Sequence, residues 1–128
     1  MSHDSNCIFC RIVAGQIPSK KVHEDEELLV FHDINPWAPV HVLIVPKVHV
    51  ASLAAAGPEH EALLGRMLAL APRLMQQLGV VNGFRVVVNT GRDGGQEVDH
   101  LHVHVMGGRA PGSRGEAAPA RARAGALT

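Results

Sequence analysis

Histidine stands at positions 100, 102 and 104, alternating with Leu101, Val103 and Val105. A period of two is the signature of a strand: one face carries three imidazoles and the other an apolar row that must be buried. The chain therefore has to build a sheet with a core behind this segment and a polar space in front of it. The same geometry divides the three histidines. At about 3.3 Å per residue His100 and His104 lie roughly 13 Å apart, so one metal ion with bonds near 2.1 Å cannot take all three. Strict alternation beside the glycine-rich stretch 90–96 makes packing alone a poor account of them.

The remaining pattern supplies the sheet and its cover. Period-two and β-branched runs predict strands over 28–33, 40–45, 84–89 and 100–106, with a turn at 36–39. Ile8, Phe9, Ile12 and Val13 recur at helical spacing, capped by Asp4 or Ser5 and ended by Gly15. Gly57 and Pro58 open a longer helix on which Leu63, Leu64, Met67, Leu68, Ala71, Leu74, Met75 and Leu78 form the apolar stripe, with Gly79 as terminator. Pro72 inside it should bend or split the helix. Short connections and a majority of strands point to an α+β domain: an antiparallel sheet of about five strands, one long helix and a short N-terminal helix. A chain of 128 residues suits one domain, here 7–109, preceded by a flexible 1–6 and followed by an aperiodic, flexible tail over 110–128.

Twelve basic and twelve acidic residues cancel, which removes the net field that would draw in nucleic acid or a charged membrane. No run approaches the roughly 18 apolar residues of a bilayer span, and 1–6 has no signal-peptide core. The expected location is the cytoplasm, with neither nucleic acid nor membrane as partner.

In a reducing compartment the pair Cys7 and Cys10 reads as a metal or redox device rather than a structural disulfide. A tetrahedral zinc site needs about four ligands, and two cysteines with two histidines are a common set. Among nine histidines, His100 at the start of the last strand and His49 just past the strand that Pro46 stops are the candidates. Simple burial of the cysteines is the competing account. His102 and His104 then face a common space. Neutral imidazole is abundant at neutral pH and is a good nucleophile and leaving group in phosphoryl chemistry.

The run His100-Leu101-His102-Val103-His104-Val105-Met106 resembles the motif for which the histidine triad family is named, and Gly107-Gly108-Arg109 follows it. Four further blocks are similar, in the same order: Cys7-Ile8-Phe9-Cys10; Phe31-His32-Asp33-Ile34-Asn35-Pro36; Ala38-Pro39-Val40-His41 with Pro46-Lys47-Val48-His49; and Val88-Asn89-Thr90-Gly91 leading to Gly94-Gly95-Gln96. The Gly-Gly-Arg ending resembles the Hint branch of purine nucleoside phosphoramidases rather than the Fhit-like dinucleoside polyphosphate hydrolases. His104 separates the chain from transferase relatives with glutamine there.

This resemblance implies a HIT-like fold and a hydrolase in which His102 attacks the α-phosphorus of a nucleoside 5′-phosphoramidate, such as adenosine 5′-monophosphoramidate, through a nucleotidyl-histidine intermediate. It implies phosphate and leaving-group contacts from His104, Asn89, Gly95, Gln96 and the backbone N–H of Glu97. It further implies that Asp33 accepts hydrogen bonds from the ribose, and that Ile8, Phe9, Ile12, Phe31, Ile34 and Leu43 line a purine pocket. Core packing is the equal alternative for Ile12 and Leu43. A structural zinc ion on Cys7, Cys10, His49 and His100, no organic cofactor, and a homodimer joined through the segment 84–89 and the long helix are implied as well. The chain departs from the pattern at Asp99, where an aromatic residue is common, and in a tail without the aromatic segment of many Hint relatives. Two other functions stay open: hydrolysis of dinucleoside polyphosphates or adenylylated metabolites by the same histidine, and a non-catalytic nucleotide-binding interaction protein.

Overall fold

A computed structural model describes residues 4–108. Five antiparallel strands form one sheet: β1 (Lys21–Glu24), β2 (Leu28–His32), β3 (Val40–Pro46), β4 (Phe84–Val87) and β5 (Val103–Gly107), in the order β1-β2-β3-β5-β4. Helix α1 (Ile8–Val13) lies on one side and the long helix α2 (Glu61–Gln77) on the other.

Alternation along the central strands creates the two sides. Leu28, Val30, Val42, Ile44, Val103 and Val105 pack against Met67, Ala71, Leu74 and Met75 of α2. Leu29, Phe31, Leu43 and Val45 point the other way, toward Phe9, Cys10 and Ile12 of α1. The central strands are thus buried on both faces, which is why β2 and β3 read as continuous apolar runs.

Several elements differ from the sequence expectation. β1 was not anticipated: its sequence Lys-Val-His-Glu holds one aliphatic residue, because it is a short edge strand interrupted by a register shift. Helix α1 is capped by Cys7, whose Sγ accepts the Cys10 N–H at 3.3 Å, and not by Asp4 or Ser5. A 3-10 turn, Pro58–His60, precedes α2, which runs unsplit through Pro72. Pro72 is on the exposed side, so water can satisfy the backbone group its missing N–H releases. Leu68 of the expected stripe is 53% exposed, and Leu70 is buried in its place. The ladder of β5 begins at Val103, not at His100. Leu101 N–H instead donates to the Val50 carbonyl and His100 N–H to that of Val98, which draws this segment away from the sheet. Arg109, the expected tail 110–128 and Met1 to His3 of the expected flexible N-terminus lie outside the described residues. Among the described residues no helix is long and apolar enough to cross a membrane.

Candidate active site and metal centre

The turn that caps α1 brings Cys7 and Cys10 to the side chains of His49 and His100, and one ligand atom from each lies within 4.8 Å of all the others. His100 Nδ1 is 3.2 Å from Cys7 Sγ, 3.5 Å from Cys10 Sγ and 3.2 Å from His49 Nδ1, and the last is 3.3 Å from Cys10 Sγ. A tetrahedral zinc ion places its ligand atoms about 3.4 to 3.8 Å apart, so the four residues fit that ion. The donor chemistry agrees. His100 Nε2–H donates to the Pro46 carbonyl at 2.8 Å, leaving the lone pair on Nδ1, aimed into the cluster. Burial pushes His100 down to about 4, so its ring is neutral at physiological pH. Burial also pushes the Cys7 thiol up to about 11; a cation beside it would reverse that preference.

His100 serves twice, because its carbonyl oxygen lies 2.6 Å from Nδ1 of His102. A carbonyl only accepts, so His102 carries its proton on Nδ1 and keeps the Nε2 lone pair. Phe9, fully buried, packs edge-on against both rings, at 5.9 Å from His100 and 5.1 Å from His102.

The second imidazole of the pair is set the opposite way. Trp37 N–H donates to His41 Nδ1 at 3.0 Å, so His41 bears its proton on Nε2 and donates it to His104 Nδ1 at 2.9 Å. His104 is left with its proton on Nε2. The two rings, 5.1 Å apart, thus offer a lone pair from His102 and an N–H donor from His104. His41 is fully buried, with Asp33 Oδ2 3.5 Å from its Nε2. Sequence reasoning gave it no role; its place opposite Met106 across β3 and β5, two residues along β3 from the Leu43–His104 row, becomes visible only with the register.

A cleft of about 850 Å³ reaches this histidine chain at His41, while His102 and His104 are buried and do not line it. Phe9, Ile12, Phe31, Asp33, Ile34 and Leu43 line it, together with His32, Lys20 and His41, which were not foreseen there. Ile8 is not among its lining residues and packs with the α1 cluster. Asp33 is buried at its inner end, and its Oδ1 accepts the Asn35 N–H at 2.8 Å. Ile34 is 71% exposed at the rim, an apolar side chain with no packing reason to be there.

The glycine-rich loop follows β4. Gly91 and Gly95 have φ of 69° and 78°, the left-handed region that glycine enters without strain. Gln96 closes the loop: its Oε1 accepts Gly91 N–H at 2.9 Å, and its Nε2 donates to the carbonyls of Ala51 and Val98 at 2.8 and 2.9 Å. Expected as a phosphate contact, the Gln96 amide here braces the loop. Asn89 is half-buried just past β4, and Glu97 is exposed after the loop.

The family profile described as "HIT domain" matches residues 14–111. Protein HitA of Neisseria gonorrhoeae is 54% identical over 102 residues, which are 80% of this chain and 95% of that protein. The 14 kDa zinc-binding protein of Zea mays is 48% identical over 108 residues, 83% of this chain and 84% of that one. The crystal structure of a HIT family hydrolase from Legionella pneumophila superposes with a TM-score of 0.79 at 44% identity, covering 82% of this chain and 95% of that one.

Proposed function

The chain belongs to the HIT domain family, and from that premise we propose that it is a nucleotide-binding hydrolase that cleaves purine nucleoside 5′-phosphoramidates to the nucleoside monophosphate. The observation that carries the reading is the opposed protonation of the two facing rings: His102 donates from Nδ1 to the His100 carbonyl and His104 accepts at Nδ1 from His41. A nucleophile and a hydrogen-bond donor for phosphoryl oxygen are thereby set in advance, which is what phosphoryl transfer asks of a protein.

The substrate enters with its amide nitrogen protonated. The Nε2 lone pair of His102 forms a bond to the α-phosphorus while the P–N bond breaks and its electron pair leaves with the neutral amine. Water then bonds to phosphorus, the P–Nε2 bond breaks with its pair returning to His102, and the proton that water gives up departs on the amine. His104 Nε2–H holds a phosphoryl oxygen throughout, Asp33 takes the ribose hydroxyls, and the apolar cleft takes the base. Cys7, Cys10, His49 and His100 would hold zinc, which would fasten α1 to the segment bearing His100, in keeping with the zinc-binding relative.

The same reading places the reaction in the cytoplasm, where both cysteines stay reduced for metal. It also makes the molecule a homodimer. Phe84 and Val86 of the edge strand β4 are 40% and 39% exposed, and neighbouring Val81 is 83% exposed, an apolar margin suited to a second copy. Val86→Lys should halve the mass measured by light scattering.

The deciding experiment incubates the protein with adenosine 5′-phosphoramidate, without added metal, and follows adenosine monophosphate. Turnover lost in His102→Ala supports the reading. Tight nucleotide binding without turnover in the unaltered protein would replace it with the binding-protein alternative. Faster cleavage of a dinucleoside polyphosphate would move the substrate class.

A further inference from the structure

Trp37 lies outside the histidine motif and in no strand or helix, yet it touches the site three ways. Its indole stacks on the His104 ring, with centroids 5.0 Å apart and planes 21° from parallel. It meets His41 edge-on at 5.2 Å. Its backbone N–H is the donor that fixes His41. We propose that the Trp37 side chain is a positioning residue for His104: it holds the imidazole in the plane that keeps Nδ1 on His41 and turns Nε2–H toward the reacting phosphate. The inference rests on the hydrolytic reading above.

Each contact restrains a different motion of the ring. An imidazole joined to a neighbour through one nitrogen can still swing about that hydrogen bond, since a single N–H···N contact tolerates a broad range of ring tilts. His104 accepts such a bond at Nδ1 from His41, and its backbone is fixed opposite Leu43 and Val87 in the ladder. Stacking adds a plane constraint, because an aromatic pair loses contact when either ring tilts. The adjacent rings do not supply it: His102 meets His104 at 64° and His41 at 47°. Trp37 is the near-parallel neighbour, lying on the His104 ring and joined to His41 through its backbone N–H. It is therefore assigned to orienting the donor, a role that falls on kcat before KM.

The test compares the full-length protein with Trp37→Leu, which removes the ring, and Trp37→Phe, which keeps a smaller one; both retain the backbone N–H. Hydrolysis of adenosine 5′-phosphoramidate gives kcat and KM, and the nitrogen-15 shifts of the His104 ring report its tautomer without any turnover. Expected for Trp37→Leu are a fall in kcat of about tenfold at a KM within about twofold, and a His104 signal averaged between the two tautomers. Trp37→Phe should restore most of both. Unchanged kcat and nitrogen shifts in Trp37→Leu overturn the proposal, as does a rise in KM at constant kcat. Equal losses in both variants also overturn it. If Trp37→Leu does not fold, Trp37→Gln carries the same comparison. If the unaltered protein does not hydrolyse the substrate, the functional reading fails, while the nitrogen shifts still decide whether Trp37 orients His104.

Discussion

The carbonyl oxygen of His100 accepts the Nδ1 proton of His102 at 2.6 Å, while the His100 side chain points into the cysteine cluster. One residue thereby joins the candidate metal centre to the candidate nucleophile, and the His100 end of the join is backbone, which no substitution of the His100 side chain removes directly. The two candidate sites are separate in chemistry but mechanically continuous.

Loss of the metal should therefore cost both stability and rate. A structural zinc ion contributes on the order of 10 kcal/mol in small peptides, comparable to the whole stability of a domain. Elemental analysis should find one zinc per chain. Cys10→Ala should lower zinc content and depress Tm by about 10 °C or more, and chelation should slow hydrolysis in parallel. Stoichiometric zinc retained in Cys10→Ala would count against the assigned ligands.

His41 should matter more for turnover than for binding. Replacing it with Asn shortens the side chain and removes the Nε2 donor to His104, while an acceptor for the Trp37 N–H is kept in Asn Oδ1. The expected result is a fall in kcat of about a hundredfold with KM little changed. The measurement is steady-state kinetics beside a far-ultraviolet dichroism spectrum that shows the fold intact.

Two glycines should respond in opposite directions to alanine. A Cβ on Gly94 would stand 2.3 Å from the Thr90 carbonyl oxygen and 2.7 Å from its nitrogen, so the loop braced by Gln96 has to move. Gly94→Ala should destabilise by about 1 to 3 kcal/mol and reduce kcat/KM. Gly65 lies inside α2, exposed, with nothing within 4 Å of such a Cβ. Gly65→Ala should stabilise by about 0.5 to 1 kcal/mol. Urea unfolding of both variants gives the comparison.

Acid sensitivity should centre in part on Asp25. Burial works to raise its carboxyl, but the His23 ring, the N–H groups of Glu27 and Leu28, and Arg66 outweigh it and hold the group well below the usual carboxylate range. The folded state then binds fewer protons than the unfolded chain, so the contribution is complete above the unfolded value of about 3.9 and is lost as pH falls below it. Asp25→Asn should cost about 1 kcal/mol at pH 7, and the difference from the unaltered protein should shrink as pH drops from about 4 toward 2. A constant difference over that range would assign the effect to shape rather than charge.

Much of this architecture is written in residue periodicity. The His100 to His104 alternation, the apolar runs of β2 and β3, and the stripe of α2 each bury a face large enough to leave a pattern. What escaped notice follows from the same physics. β1 buries too little to be periodic, and Cys7 caps α1 through a sulfur where oxygen is the ordinary choice. Leu68 and Leu70 differ only in helical phase, which tertiary packing decides. His41 is one of nine histidines, and only the pairing of β3 with β5 brings it to His104. Gln96 has the right chemistry for phosphate, and nothing local announces that its amide also braces the loop through Gly91, Ala51 and Val98.

Trp37 is the sole tryptophan of a chain without tyrosine, and its ring lies flat on His104. Ultraviolet emission from this protein therefore originates almost entirely from one place, against the ring that faces His102. Any event that recharges, covers or displaces that imidazole is converted into an optical signal with no label attached, and each turnover of the site can be watched from inside it.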